Sequence, residues 1–141
     1  MNKSLIAIVL LFFVATSCQL EETTSSDAVT PENFDKPTVM TFDEPEHNFG
    51  SLDKNGTLVH SFKFTNTGNA PLVLFDVKPS CGCTALKGWP KEAILPGESS
   101  EIAIEMNPKV ASPKVTKTIS IIANTEPSLT VLKLIGEVTQ N

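Results

Sequence analysis

The sequence predicts an all-β domain, and three observations carry that prediction. Apolar and polar residues alternate with period two in several short runs. Turn-forming residues separate those runs at near-regular spacing. After the N-terminal apolar stretch, no run shows a convincing helical period.

"TVMTF" (38–42) reads as the first strand. Lys54-Asn55-Gly56 is a turn signal, and "GTLVHSFKFTN" (56–66) follows it. There Leu58, His60, Phe62 and Phe64 share one face, with Val59, Ser61, Lys63 and Thr65 on the other. "TGNAP" (67–71) turns the chain into "LVLFDVK" (72–78), and "CTALK" (83–87) gives a short strand. "LPGE" (95–98) is a Pro-Gly turn in which Gly97 supplies a positive φ. "SEIAIEM" (100–106) alternates again, with Ile102, Ile104 and Met106 inward. "KVTKTISIIAN" (114–124) and "LTVLKLIGEV" (129–138) complete the set. The expected core is Phe62, Phe64, Ile102, Ile104, Ile119, Ile121, Leu132 and Leu134. Strand number, length and spacing suit a single immunoglobulin-like β-sandwich of about seven strands. Cys81 and Cys83 stand too close in sequence to bridge two sheets, so the core holds by burial alone.

At 141 residues the chain has room for one domain. All 11 basic residues are lysine, against 16 acids, for a net charge of −5. Without arginine there is no bidentate phosphate recognition, and no lysine run forms a basic stripe. Nucleic acid is therefore not an expected partner.

Residues 1–18 read as a lipoprotein signal peptide. Lys3 precedes an apolar run at 5–15, the length of a signal-peptide h-region and too short to span a bilayer. Small residues in "ATSC" lead into Cys18, resembling a bacterial lipobox whose cysteine carries lipid. Residues 19–37 are acidic and Ser/Thr-rich and read as a flexible tether with a reach of roughly 25 Å. Its "QLEE" start resembles an acidic export signal of surface-exposed lipoproteins and equally suits a plain solvated linker. The folded domain is then 38–141. The expected location is the bacterial cell envelope, at the outer membrane through the lipid anchor, on its periplasmic or its surface-exposed face.

Several stretches occur together and in order: "FDEPEHNFGSL", "HSFKFTNTGNAPLVL", "PSCGCT", "LPGESSEIAIEMNP", "KTISIIAN" and "LKLIGEV". From about Met40 to Val138 they resemble the bacterial domain-of-unknown-function family numbered 1573, with "CGCT" the most specific part. The chain is also similar to the "FG…N.G..P" pattern of modules in ciliary and centrosomal proteins. The resemblance implies an exported protein or lipoprotein with an Ig-like sandwich. It implies no defined activity.

The remaining chemistry sits in Cys81 and Cys83, a possible thiol pair or metal site. In an extended segment positions i and i+2 face one way, so both sulfurs would project from one face. Four readings stay open. A structural disulfide would close a three-residue loop, worth only ~1.6 kcal/mol in chain entropy. A strained disulfide would exchange readily, although catalytic thiols need a basic neighbour, and only Lys78 and Lys87 flank the pair. Two thiolates suit Cu(I) rather than Zn(II). Last, the segment can be a tight packed corner. His60 lies on the apolar face of its strand and reads as a core residue, whereas His47 in "HNFG" reads as a turn cap. Trp89, the only tryptophan, reads as covering a core edge, and Glu101, Glu105, Lys117 and Lys133 as solvated outward faces.

No Ser/His/acid set, no phosphate loop and no metal-ligand cluster is visible, and no cofactor is expected. The leading expectation is a non-enzymatic, lipid-anchored envelope module that binds a protein or glycan partner. The alternative is a thiol-redox or Cu(I)-handling protein acting through Cys81 and Cys83.

Overall fold

Two four-stranded sheets face each other across a single core in the computed structural model, which describes residues 36–140. The expected signal peptide and Cys18, and the tether up to residue 35, lie outside the described residues. The strands are β1 (Met40–Phe42), β2 (Glu46–Asp53), β3 (Leu58–Asn66), β4 (Leu74–Pro79), β5 (Thr84–Gly88), β6 (Ser99–Met106), β7 (Ser112–Ala123) and β8 (Leu129–Thr139). One sheet has the order β1-β3-β6-β5 and the other β2-β8-β7-β4. All pairings are antiparallel except β2 with β8, which is parallel. The all-β sandwich expected from the sequence is therefore present, with eight strands rather than about seven.

The added strand is β2, where the sequence suggested a loop. It carries few large apolar residues, and its ladder shifts register between Asn48 and Gly50, where Gly50 adopts φ 67°. Parallel pairing to β8 satisfies its backbone without a strong hydrophobic signal. The 95–98 turn is as expected, with Gly97 at φ 84°.

Alternation places the core. Phe62, Phe64, Ile102, Ile104, Ile119, Ile121, Leu132 and Leu134 are each exposed by 1% or less. Leu72, Val77, Ile94 and Met106 join them, and the half-buried Trp89 packs against their margin. Fully burying one such side chain stabilises by about 1.5–3 kcal/mol, so this layer dominates the fold.

Thr38 is not a strand residue but a buried brace: its Oγ1 donates to Asn66 Oδ1 at 3.0 Å and approaches Ala70 O at 2.9 Å. Asn66 and Asn124 tie down the 67–71 turn from both sides. Asn66 Nδ2 donates to Ala70 O, and Asn124 Nδ2 to Pro71 O. The "NTGNAP" stretch is thus a buried polar bracket, each hydrogen bond made in a low-dielectric setting where an unmade one is costly.

Candidate functional site

The segment from Ser80 to Cys83 carries the chain from β4 in one sheet to β5 in the other. It is a turn rather than the extended stretch expected: Thr84 N donates to Cys81 O at 3.3 Å. The turn brings the Cα atoms of Cys81 and Cys83 to 5.3 Å, and a disulfide joins them. That separation falls inside the usual range for disulfides. A bonded pair suits the structural-disulfide and the thiol-exchange readings alike, and Cu(I) chemistry would require its reduction.

Backbone contacts hold the corner independently of sulfur. Ser80 N donates to Thr118 O at 2.8 Å, and Ser80 Oγ accepts from Thr118 N at 3.0 Å. Asn107 N donates to Cys83 O at 2.8 Å. The same asparagine accepts from Thr57 Oγ1 and donates to Glu105 Oε1. Glu105 also pairs with Lys87 at 3.2 Å. The Asn107 hydrogen bond, then Lys87, holds the Glu105 carboxyl below its ordinary pKa.

Cys83 opens onto a cleft of about 430 Å³ between this corner and the β6–β7 connection. Pro108, Val115 and Val138 contribute apolar surface, and Lys109, Lys114 and Lys117 contribute charge. The lining holds no carboxylate and no imidazole. None of the three lysines makes an ion pair among the described residues. Val110, also in the lining, is 76% exposed. Lys117 corrects the outward placement expected for it. It shares the inward register of Val115, Ile119 and Ile121 on β7 and is half-buried. The alternation was legible; what the sequence could not show is that the core ends there, leaving an inward lysine facing an open cleft.

The two histidines meet each other instead of the cysteines. His47 lies in β2, opposite Leu134, and is not a turn cap. His60 lies in β3, opposite Ile104. Their rings stack at 3.7 Å between centroids, with 14° between planes. His60 also meets Phe62 edge-on at 4.6 Å. Burial first, then the neighbouring His47, lowers the His60 pKa, with Glu44 opposing. No sequence signal links residues from two different sheets, so this pairing was not foreseeable. Trp89 covers the core margin as expected, and Lys91 Nζ stands 2.9 Å from the centre of its ring.

The fold is shared with solved structures. A protein of unknown function from Porphyromonas gingivalis W83 matches with a TM-score of 0.64 at 24% identity, over 80% of this chain and 51% of that one. The chain thus spans about half the length of that relative. The secreted serine protease VesC from Vibrio cholerae matches with a TM-score of 0.58 at 14% identity, over 70% of this chain and 23% of that one. An ASH/PapD-like domain of human CEP192 matches with a TM-score of 0.55 at 11% identity, over 74% of this chain and 88% of that one. No curated protein matches in sequence. Residues 40–138, a span from the start of β1 into β8 that includes the CGC corner, match the family described as "Protein of unknown function (DUF1573)", and the chain belongs to that family.

Proposed function

We propose that this protein is a non-enzymatic binding module of the bacterial cell envelope, held at the outer membrane by lipid on Cys18, whose cleft beside Cys83 takes an acidic segment of a protein partner. One observation carries the reading. Three lysines without ion partners among the described residues surround an apolar-floored cleft in a chain whose net charge is −5. Its volume suits a few side chains of a partner. Its lining offers no carboxylate or imidazole to work beside the lysines in acid–base chemistry. Charge complementarity of this kind sets partner choice and on-rate.

The test places a photo-crosslinker at Val110 and captures partners from envelope extract. The wild type is compared with a Lys109→Glu, Lys114→Glu, Lys117→Glu variant. A protein crosslinked to the wild type, no longer captured when raised salt is present during irradiation, and at least tenfold depleted in the variant, supports the reading. A glycan captured equally by both forms, or no crosslink, overturns it. Mass spectrometry of the mature N-terminus tests the anchor. A lipidated Cys18 supports it, and an unmodified terminus elsewhere removes it.

The second reading, thiol exchange, has one observation in its favour: Cys83 faces the same cleft, beside lysines that would stabilise a thiolate. A partner thiolate attacking one sulfur would expel the other as thiolate and form a mixed disulfide. Cu(I) handling belongs to the reduced form alone, where both thiolates are free. Exchange with glutathione, and Cu(I) retention against a chelator after reduction, separate these from the bonded corner.

A further inference from the structure

We propose that Glu44, His47 and His60 form a binding site for a borderline divalent transition ion, Zn²⁺ in the first instance. The site is separate from the CGC corner and its cleft, and it uses both histidines of the chain.

The two histidines arrive from different sheets. β2 carries His47 along one sheet edge, and β3 carries His60 in the facing sheet. β1 pairs with β3 only as far as Phe42, opposite Phe64. Asp43 N adds one more backbone hydrogen bond, to Lys63 O at 3.1 Å, and the 43–45 connection then brings Glu44 beside His60. The donor atoms of all three side chains lie within 4.8 Å of one another.

The spacing of the first pair is informative. His47 Nδ1 stands 3.4 Å from Glu44 Oε2. That is long for an N–H···O hydrogen bond, whose usual range is about 2.7–3.2 Å. Two donors each about 2.0–2.1 Å from a tetrahedral ion stand about 3.4 Å apart. The pair is thus spaced as two ligands of one ion would be.

His60 supplies the third donor. Its ring now stacks on His47, so its lone pair runs beside that of His47. Ligation by His60 would require rotation about its Cβ–Cγ bond to turn a nitrogen toward the shared point, leaving the stack on His47 and the edge contact with Phe62. Neutral imidazole is the form that ligates. Two imidazoles and a carboxylate are a borderline donor set that suits Zn²⁺ and is too nitrogen-rich for Mg²⁺ or Ca²⁺. A neighbouring cleft of about 210 Å³, lined by Asp43, Glu44, His60, Ser61, Phe62 and Lys63, leaves the fourth position to water or to a group from a partner.

The experiment uses tag-free protein carrying Cys18→Ser, stripped with EDTA and kept oxidised so that Cys81 and Cys83 offer no thiolate either. Zn²⁺ is titrated calorimetrically, with Mg²⁺ as the control. One Zn²⁺ per chain is expected, no Mg²⁺ uptake, and at least tenfold weaker Zn²⁺ binding in His47→Gln and in Glu44→Gln. Glu44 is exposed, so its variant keeps the fold even where a histidine variant does not. In the Cys18→Ser parent, Zn²⁺ is also expected to shift the ring ¹H–¹⁵N signals of both histidines. No uptake, uptake undiminished in Glu44→Gln, or ring signals that stay in place would overturn the site.

Discussion

Asn66 donates from its side-chain nitrogen to the carbonyl oxygen of Ile94 at 2.8 Å, across 28 residues of sequence. A second hydrogen bond from the same nitrogen reaches Ala70 O at 2.8 Å, while Oδ1 accepts from Thr38 Oγ1 and Gly68 N. The side chain is fully buried, and these contacts use its whole donor capacity. One asparagine therefore joins Thr38 ahead of β1, the 67–71 turn and the strand-like bridge at Ile94.

Replacing it tests that bracket. Asn66→Ala removes both Nδ2 hydrogen bonds and takes the acceptor from Gly68 N, while Ala70 O keeps Thr38 Oγ1 and Ile94 O keeps Leu72 N as donors. Three hydrogen bonds at about 0.5–1.5 kcal/mol net each give an expected loss of about 1.5–4.5 kcal/mol, read from the urea midpoint at unchanged m. A midpoint within error of the parent would mean that water replaces the side chain without cost.

Phe64 tests the hydrophobic side of the same strand. Its ring lies 5.2 Å from that of Phe42, and it has no exposed surface. Phe64→Ala is expected to cost about 3–5 kcal/mol. Val59, on the outer face of the same strand and 68% exposed, is the control. Val59→Ala should stay within about 0.5 kcal/mol of the parent. Equal effects at the two positions would contradict the register of β3.

Period-two patterning was enough to place Phe62, Ile104, Ile121 and Leu134 in the core, because burial on one face writes itself into alternate positions. It missed β2, whose half-buried positions include His47 and whose ladder is broken beside Gly50. It also placed Lys117 outside, where residue type argued against the register that its neighbours Val115 and Ile119 follow. The cleft and the stacked histidines depend on which strands become neighbours across the sandwich. That is a long-range outcome which no short window of sequence contains.

Gly136 probes how β2 is seated. A Cβ built there would stand 2.6 Å from Gly50 O and would also strike the Phe49 ring. The β2 backbone would have to move away from β8. Gly136→Ala is expected to destabilise by about 1–3 kcal/mol, as overpacking does. Because β2 carries His47, Zn²⁺ affinity should weaken in the same variant. Fast amide exchange confined to β2 would locate the damage. Parent-like protection along β2 would show that the strand absorbs a methyl group.

The Cys81–Cys83 disulfide closes so short a loop that its entropic contribution is at most ~1.6 kcal/mol. The corner also keeps three sulfur-independent hydrogen bonds: Ser80 N to Thr118 O, Thr118 N to Ser80 Oγ, and Asn107 N to Cys83 O. A Cys81→Ser, Cys83→Ser variant is therefore expected to fold and to lose no more than ~1.6 kcal/mol in urea. A larger loss would mean that sulfur packing, rather than loop closure, holds the corner. Stability alone does not separate a bonded corner from a reactive one, since both leave a folded double mutant. Partner capture does. If the cleft binds through Lys109, Lys114 and Lys117, the serine variant keeps its partner, because none of those side chains is altered. If the partner is held through a mixed disulfide, capture disappears in the serine variant and in wild type treated with reductant, while the lysine variant retains part of it. The two variants, assayed side by side on the same extract, assign the cleft to charge or to sulfur.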